Sequence, residues 1–250
     1  SINDGAVVDA ADDVAVVANA QEKILIVSAG IAFSGVVSLA GGVSVLSLNA
    51  TTSAAIGANA DVDAGGDVAV MASDDTQFTV VSGAVAVGIS GAGAAGSVGV
   101  VTISKATGAT IGAGAEVDAK ASGASDGIAG VLDGSVDSGG IGTQAGAVRG
   151  VIVQAESSEK ATHVAVAGGV GLYAGIAGGV TVTIFDSDTT AAIGAGARIN
   201  NDEANHLTAS GVGGSQGVFV GAANLRRSLR ASTPSGRREN HPVWWLAESP

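Results

Sequence analysis

Oxygen supplies most of the side-chain chemistry in this chain. Asp126-Gly127 and the run Asp133-Gly134-Ser135-Val136-Asp137-Ser138-Gly139 set carboxylate and hydroxyl oxygens at alternate positions of a glycine-bent loop. Calcium is a hard cation that gathers about six to eight oxygen ligands from such loops, which makes Asp126, Asp133 and Asp137 the candidate metal ligands. The closing bidentate Glu of an EF-hand is missing, so a solvated acidic turn is the competing reading. Glu156, Glu159 and His163 follow closely. They are the candidate catalytic groups, any of which would serve as base for a water activated beside a cation. A calcium-dependent hydrolase of glycans, esters or lactones would be built from these parts.

Other chemistries find less support. The chain has no Cys, which removes disulfides, thiolate catalysis and Cys-based zinc sites. Its three His (His163, His206 and His241) form no zinc-like pair. Gly91-Ala-Gly93-Ala-Ala-Gly96 matches a dinucleotide fingerprint but leads into a strand-like run, not into a helix whose N-terminus would hold phosphate. Gly213-Gly-Ser215-Gln-Gly217 lacks the strand–turn–helix context of a nucleophile elbow. No nucleotide or organic cofactor is therefore expected. A net charge of −12 disfavours nucleic acid as a partner.

The elements that hold these residues are repetitive. Ile56-Gly-Ala-Asn-Ala-Asp-Val-Asp63-Ala recurs as Ile111-Gly-Ala-Gly-Ala-Glu-Val-Asp118-Ala, opens again at Ile193-Gly-Ala-Gly-Ala, and exists in worn form from Ile2. Units start near residues 2, 56, 111 and 193, with residues 121–150 read as an insertion. Inside each unit, β-branched residues alternate with small ones between Gly, Asn and Asp, which reads as short strands and tight turns. With 40 Gly, 46% hydrophobic residues and only 3% aromatic ones, the core must be slim. The expected fold is an all-β, single-domain parallel β-helix (β-solenoid) over residues 1–223, each unit making two or three turns. On that reading, the recurring Asp9, Asp63 and Asp118 stand about 10–15 Å apart and serve as turn caps, as do Asp13 and Asp67.

Residues 224–250 break the pattern. They hold all three Pro, both Trp and five of the 11 basic residues, as expected of a capping segment or a non-native end. Residues 24–49, 76–104 and 164–185 carry no charge and are long enough to cross a bilayer. Their abundant Gly and Ala and scarce Leu make them poor spanning helices, so no membrane span is expected, and a membrane-active toxin segment is the alternative they leave. Residues 1–20 lack a basic stretch followed by an apolar run, so no signal peptide is expected there and the chain reads as part of a longer protein.

The motif Ile-Gly-Ala-Gly-Ala-x-Val-Asp-Ala, with Gly-Asp-Val-x-Val, a Gly/Ala/Val run and Thr-Thr-Ala-x-Ile-Gly, resembles large repetitive secreted bacterial proteins. These are the filamentous-haemagglutinin-like and leukotoxin-type adhesins. The resemblance rests on Ile56–Val70, Ile111–Ala119 and Thr189–Asn200 and covers about residues 1–223. It implies a right-handed β-helix stalk, export to the bacterial cell surface, and a structural or adhesive role toward glycan or a cell-surface protein. It brings no catalytic residues. Open solenoid ends would also favour a homodimer.

Overall fold

The computed structural model describes residues 1–120, 127–137, 139–201 and 217–235. Among these residues thirteen strands follow one another: β1 Val7–Ala10, β2 Val14–Ser34, β3 Val37–Ile56, β4 Asp61–Ala64, β5 Val68–Gly88, β6 Ala92–Ile111, β7 Glu116–Ala119, β8 Leu132–Val136, β9 Ile141–Thr143, β10 Gly150–Gly171, β11 Ala174–Ile193, β12 Arg198–Ile199 and β13 Gly217–Ser235. No helix occurs among the described residues. The chain is all-β, with long parallel strands in stacked sheets. One sheet has the order β13-β10-β5-β2, a second β11-β6-β3 and a third, of short strands, β1-β4-β7-β12. A separate antiparallel pair, β8-β9, lies in the insertion.

Each of the first three repeats gives one strand to each parallel sheet, and the fourth gives β12 and β13 among the described residues. Val14 pairs with Val68 and Val68 with Val151, Val37 with Ala92 and Ala92 with Ala174. The unit is therefore a single wide layer of two strands of about 20 residues and one of four, not two or three narrow turns. This corrects the expected subdivision. Gly inside the runs suggests strand ends, but alternation carries through Gly41-Gly42 and Gly83 without a break. It follows that Asp9, Asp63 and Asp118 are direct ladder partners on adjacent strands, about 4.8 Å apart and not 10–15 Å.

The turn between the long and short strands explains the Ile-Gly-Ala-Gly-Ala signature. Its fourth position has positive φ in every copy: Gly5 at 64°, Asn59 at 54°, Gly114 at 69° and Gly196 at 73°. Only Gly, or Asn at some cost, adopts this conformation readily. Its second position needs Gly for a different reason. A Cβ on Gly112 or Gly194 would stand 2.5 Å from the backbone nitrogen of Ala58 or Ala113 in the neighbouring layer.

The core tapers along each layer. At the short strands, Val14, Val68 and Val151 stack on one side and Ile56 and Ile111 on the other, around Val62 and Val117. Further along sit Phe78, Val80, Val101, Ile103 and Ala161, joined by Ile24, Leu46, Leu48 and Phe185. Beyond them only Ala40, Ala84, Ala86 and Ala95 fill the gap. The two long sheets converge so far that a Cβ on Gly30 would clash with the carbonyl oxygen of Gly41.

The insertion is tied to the outer face of the first long sheet. Gln154 Oε1 accepts the backbone N–H of Leu132 at 3.1 Å, and its Nε2 donates to the carbonyl of Gly130 at 3.1 Å. The expected boundary at residues 223/224 falls inside β13, whose pairing with β10 runs unbroken from Gly217 to Ser235. Trp244 and Trp245 lie outside the described residues.

Candidate functional site

Two places gather polar side chains: a cleft on the outer face of the first long sheet, and a layer sealed inside the core. Strand alternation decides which residue goes where, since neighbours in sequence point to opposite faces. On β10 it sends Glu156, Ser158 and Lys160 outward, and Ser157, Glu159 and His163 inward.

The outer cleft has a volume of about 480 Å³ and runs between the sheet and the β8-β9 hairpin, with Gly139, Gly140 and Ile141 as its wall. Its floor is a flat array of hydrogen-bonding groups at strand spacing, from Asn19 and Ser73 to Glu156 in one row and from Gln77 and Lys160 to Arg227 in another. Ser73 Oγ donates to Glu156 Oε1 at 2.7 Å, and Gln77 Nε2 donates to Asp75 Oδ2 at 3.2 Å. Arg227 stands beside Lys160, with Nε and Nη2 covered and making no hydrogen bond. The guanidinium and the neighbouring ammonium are the two cationic groups of a cleft that Asp75 and Glu156 also line.

The acidic loop is built as turns. Asp133 Oδ1 accepts the Ser135 backbone N–H at 2.7 Å and the Ser135 hydroxyl at 2.6 Å. These bonds, the hydroxyl's first, hold the exposed Asp133 carboxyl below its ordinary value of 3.8. Asp137 Oδ1 accepts the N–H groups of Gly139 at 2.5 Å and Gly140 at 3.1 Å, closing the hairpin. Asp126 lies outside the described residues, as do His206 and His241. Among the described residues, no three His, Asp or Glu side chains converge in a metal-holding group.

Of the candidate catalytic groups, Glu156 alone faces the cleft and the hairpin. Glu159 and His163 are buried on the other side of β10. His163 Nε2 lies 3.0 Å from Thr183 Oγ1, and its ring meets Phe78 edge-on at 5.5 Å between centroids. The three therefore form no common site.

The internal layer centres on Lys105, a residue that motif reading missed. Its Nζ lies 2.5 Å from Asp74 Oδ1, 3.4 Å from Glu159 Oε1 and 2.7 Å from Thr76 Oγ1, and the three charged side chains have no accessible surface. Thr52 Oγ1 donates to Asp74 Oδ2 at 3.1 Å. Ser157 and Ser187 both donate to Glu159 Oε1, at 2.6 and 2.9 Å. Glu159 Oε2 is buried and has no hydrogen-bond partner. The sequence held one signal: Lys105 continues the inward parity of Val101, Ile103, Thr107, Ala109 and Ile111, so its ammonium must enter the core.

Comparison with known protein families, curated proteins and solved structures finds no match for this chain.

Proposed function

We propose that the chain is a stretch of an exported bacterial surface β-solenoid, coiled in the right-handed sense, whose role is structural and adhesive. The repeat-for-repeat register supports the solenoid, since each unit returns the chain to the same three sheets one strand further along. Short parallel connections of this kind favour a right-handed path. The ligand we propose for the outer cleft is an acidic glycan. The observation that carries this is the Arg227–Lys160 pair at the end of a flat row of amide, hydroxyl and carboxylate groups. Hydroxyl-rich sugars match the row, and a uronate or sulfate group matches the guanidinium.

Titration calorimetry with a uronic-acid oligosaccharide and its carboxyl-reduced counterpart tests this. Binding of the acidic form alone is expected, weakened about ten- to a hundredfold by Arg227→Ala, the usual worth of a charge-assisted hydrogen bond. Equal binding of both sugars, or of neither, would defeat the reading.

A second reading, membrane activity, is favoured by the far ends of the long strands. Leu25, Val27, Ile31 and Phe33 on β2, with Val37, Leu39, Val43 and Val45 on β3, point outward and are at least 64% exposed. The inward positions there carry hydroxyls such as Ser28, Ser44, Ser82 and Ser97. About ten residues of apolar-out strand cover about 30 Å, the thickness of a bilayer's hydrocarbon. No described helix is long and apolar enough to cross a membrane, so any entry would be by strands. Dye release from liposomes at submicromolar protein would support this reading, and intact liposomes would remove it.

A further inference from the structure

We propose that Lys105 and Asp74 condense into an intramolecular isopeptide bond, with Glu159 carrying the proton. The three residues come from β6, β5 and β10 and meet inside the core. There Nζ stands 2.5 Å from Asp74 Oδ1 and 3.4 Å from Glu159 Oε1. All three are at most 3% exposed. The apolar stack of Val70, Ala72 and Ile111 lies on one side, and that of Phe78, Ile103 and Ala161 on the other.

Amide formation from an amine and a carboxylic acid is unfavourable in water because water reverses it. Held in contact in a dry cavity, the same two groups have a very high effective concentration, and the water released does not return. The starting state is also costly, since a buried ion pair keeps two charges out of water that a neutral amide would not.

The neighbouring groups fit each step. One proton passes from the Lys105 ammonium to Asp74 Oδ1, leaving a neutral amine and a neutral acid. The nitrogen lone pair attacks Asp74 Cγ, and the carbonyl electrons move onto Oδ2, where the Thr52 hydroxyl donates at 3.1 Å. Thr76 Oγ1 accepts a hydrogen bond from Nζ at 2.7 Å and aims the nitrogen. Glu159 takes a second proton from Nζ and delivers it to the Oδ1 hydroxyl. That group leaves as water while the Oδ2 carbonyl re-forms. The amide nitrogen keeps its third hydrogen, Glu159 ends as it began, and no other reactant is consumed. Ser157 and Ser187 fix Oε1 of Glu159 toward the amine, and its unpartnered Oε2 gives the travelling proton a place to rest.

The test is the intact mass of the full 250-residue chain, purified folded and then denatured, followed by peptide mapping. The expected result is a mass lower by one water and a branched peptide joining the Lys105 and Asp74 segments. Glu159→Gln is nearly isosteric and should restore most of the full mass while circular dichroism stays β-rich. Lys105→Arg should restore it entirely. Full mass in the folded wild-type chain would overturn the proposal. So would a lost water mapped to succinimide at Asp4-Gly5, Asp126-Gly127 or Asp133-Gly134, or a branch from Lys105 to Glu159. Because the decisive readings come from the wild-type chain, a variant that fails to fold does not rescue the idea.

Discussion

Single residues show most directly what the repeat motif is for. Gly194 and Gly196 sit two positions apart in one turn and are required for separate reasons. Gly196 has φ of 73° and open space around an added Cβ. Gly196→Ala should therefore cost about 1–2 kcal/mol of left-handed strain and nothing more. Gly196→Asn should cost clearly less, since Asn59 occupies the equivalent place. Gly194 has no positive φ, but an added Cβ would press on the backbone of Gly112 and Ala113. Gly194→Ala should cost about 3 kcal/mol, because backbone cannot step aside as a side chain can. Urea midpoints of the three variants check the order. Both glycines are plain in the sequence; their different causes are not, because the second depends on how closely the next strand passes.

Asp133 carries a prediction at the same scale. Its folded carboxyl titrates below 3.8, so whatever stability it adds is present above that value and fades as pH falls through the lower folded one. A carboxyl-detected NMR titration should place its midpoint below 3.8. Ser135→Ala, which removes the larger cause, should raise the midpoint toward 3.8. The acidic loop was legible as a set of oxygen-bearing turns. Which oxygens turn inward on their own backbone was not, because Asx turns and metal loops share one composition.

Elements are joined across layers by carboxylates, one exposed and one buried, as well as by the ladder. Asp13 Oδ1 accepts the N–H of Asp67 at 2.7 Å, and Asp67 Oδ1 accepts the N–H of Gly150 at 2.6 Å. The second bond starts β10 in register with β5 after the whole insertion has intervened. Asp67 is completely buried, so removing the carboxylate strands a backbone donor in the core. Asp67→Ala should cost about 2–3 kcal/mol, whereas Asp67→Asn keeps an acceptor oxygen and should cost about half as much. Thermal unfolding of the two variants measures the difference. The recurrence of Asp13 and Asp67 was visible in the sequence and pointed to capping. That each caps the following layer and not its own turn was hidden, because the length of one layer was not fixed by pattern alone. A local period of two gives the strand; only the pairing of Val14 with Val68 and of Val37 with Ala92 shows that about 54 residues bring the chain to the next strand of the same sheet. The alternation in β10 did hold one recoverable fact, that Glu156 cannot share a face with Glu159 or His163.

At the scale of the whole molecule, two kinds of sticky surface coexist. Among the described residues, strands β2 and β3 border their sheets at one end of the stack and β13 and β11 at the other, and each presents a strand edge there. The outer faces of the far halves are apolar, with Leu39 79%, Val43 70% and Ile176 69% exposed. Either surface would make copies associate, and they predict different assemblies. End pairing adds strands and lengthens the stack, whereas face pairing lays stacks side by side. Apolar area is the stronger drive in dilute buffer, because edge groups are already satisfied by water while exposed Leu and Val are not. Leu39→Lys with Val43→Lys places two charges on the outer face of β3 and leaves its backbone edge as it was. Sedimentation velocity should then show the wild-type chain growing with concentration and the double variant remaining a monomer over the same range. Assembly that persists in the double variant, but yields to a proline placed in β2, would instead assign association to the strand edges.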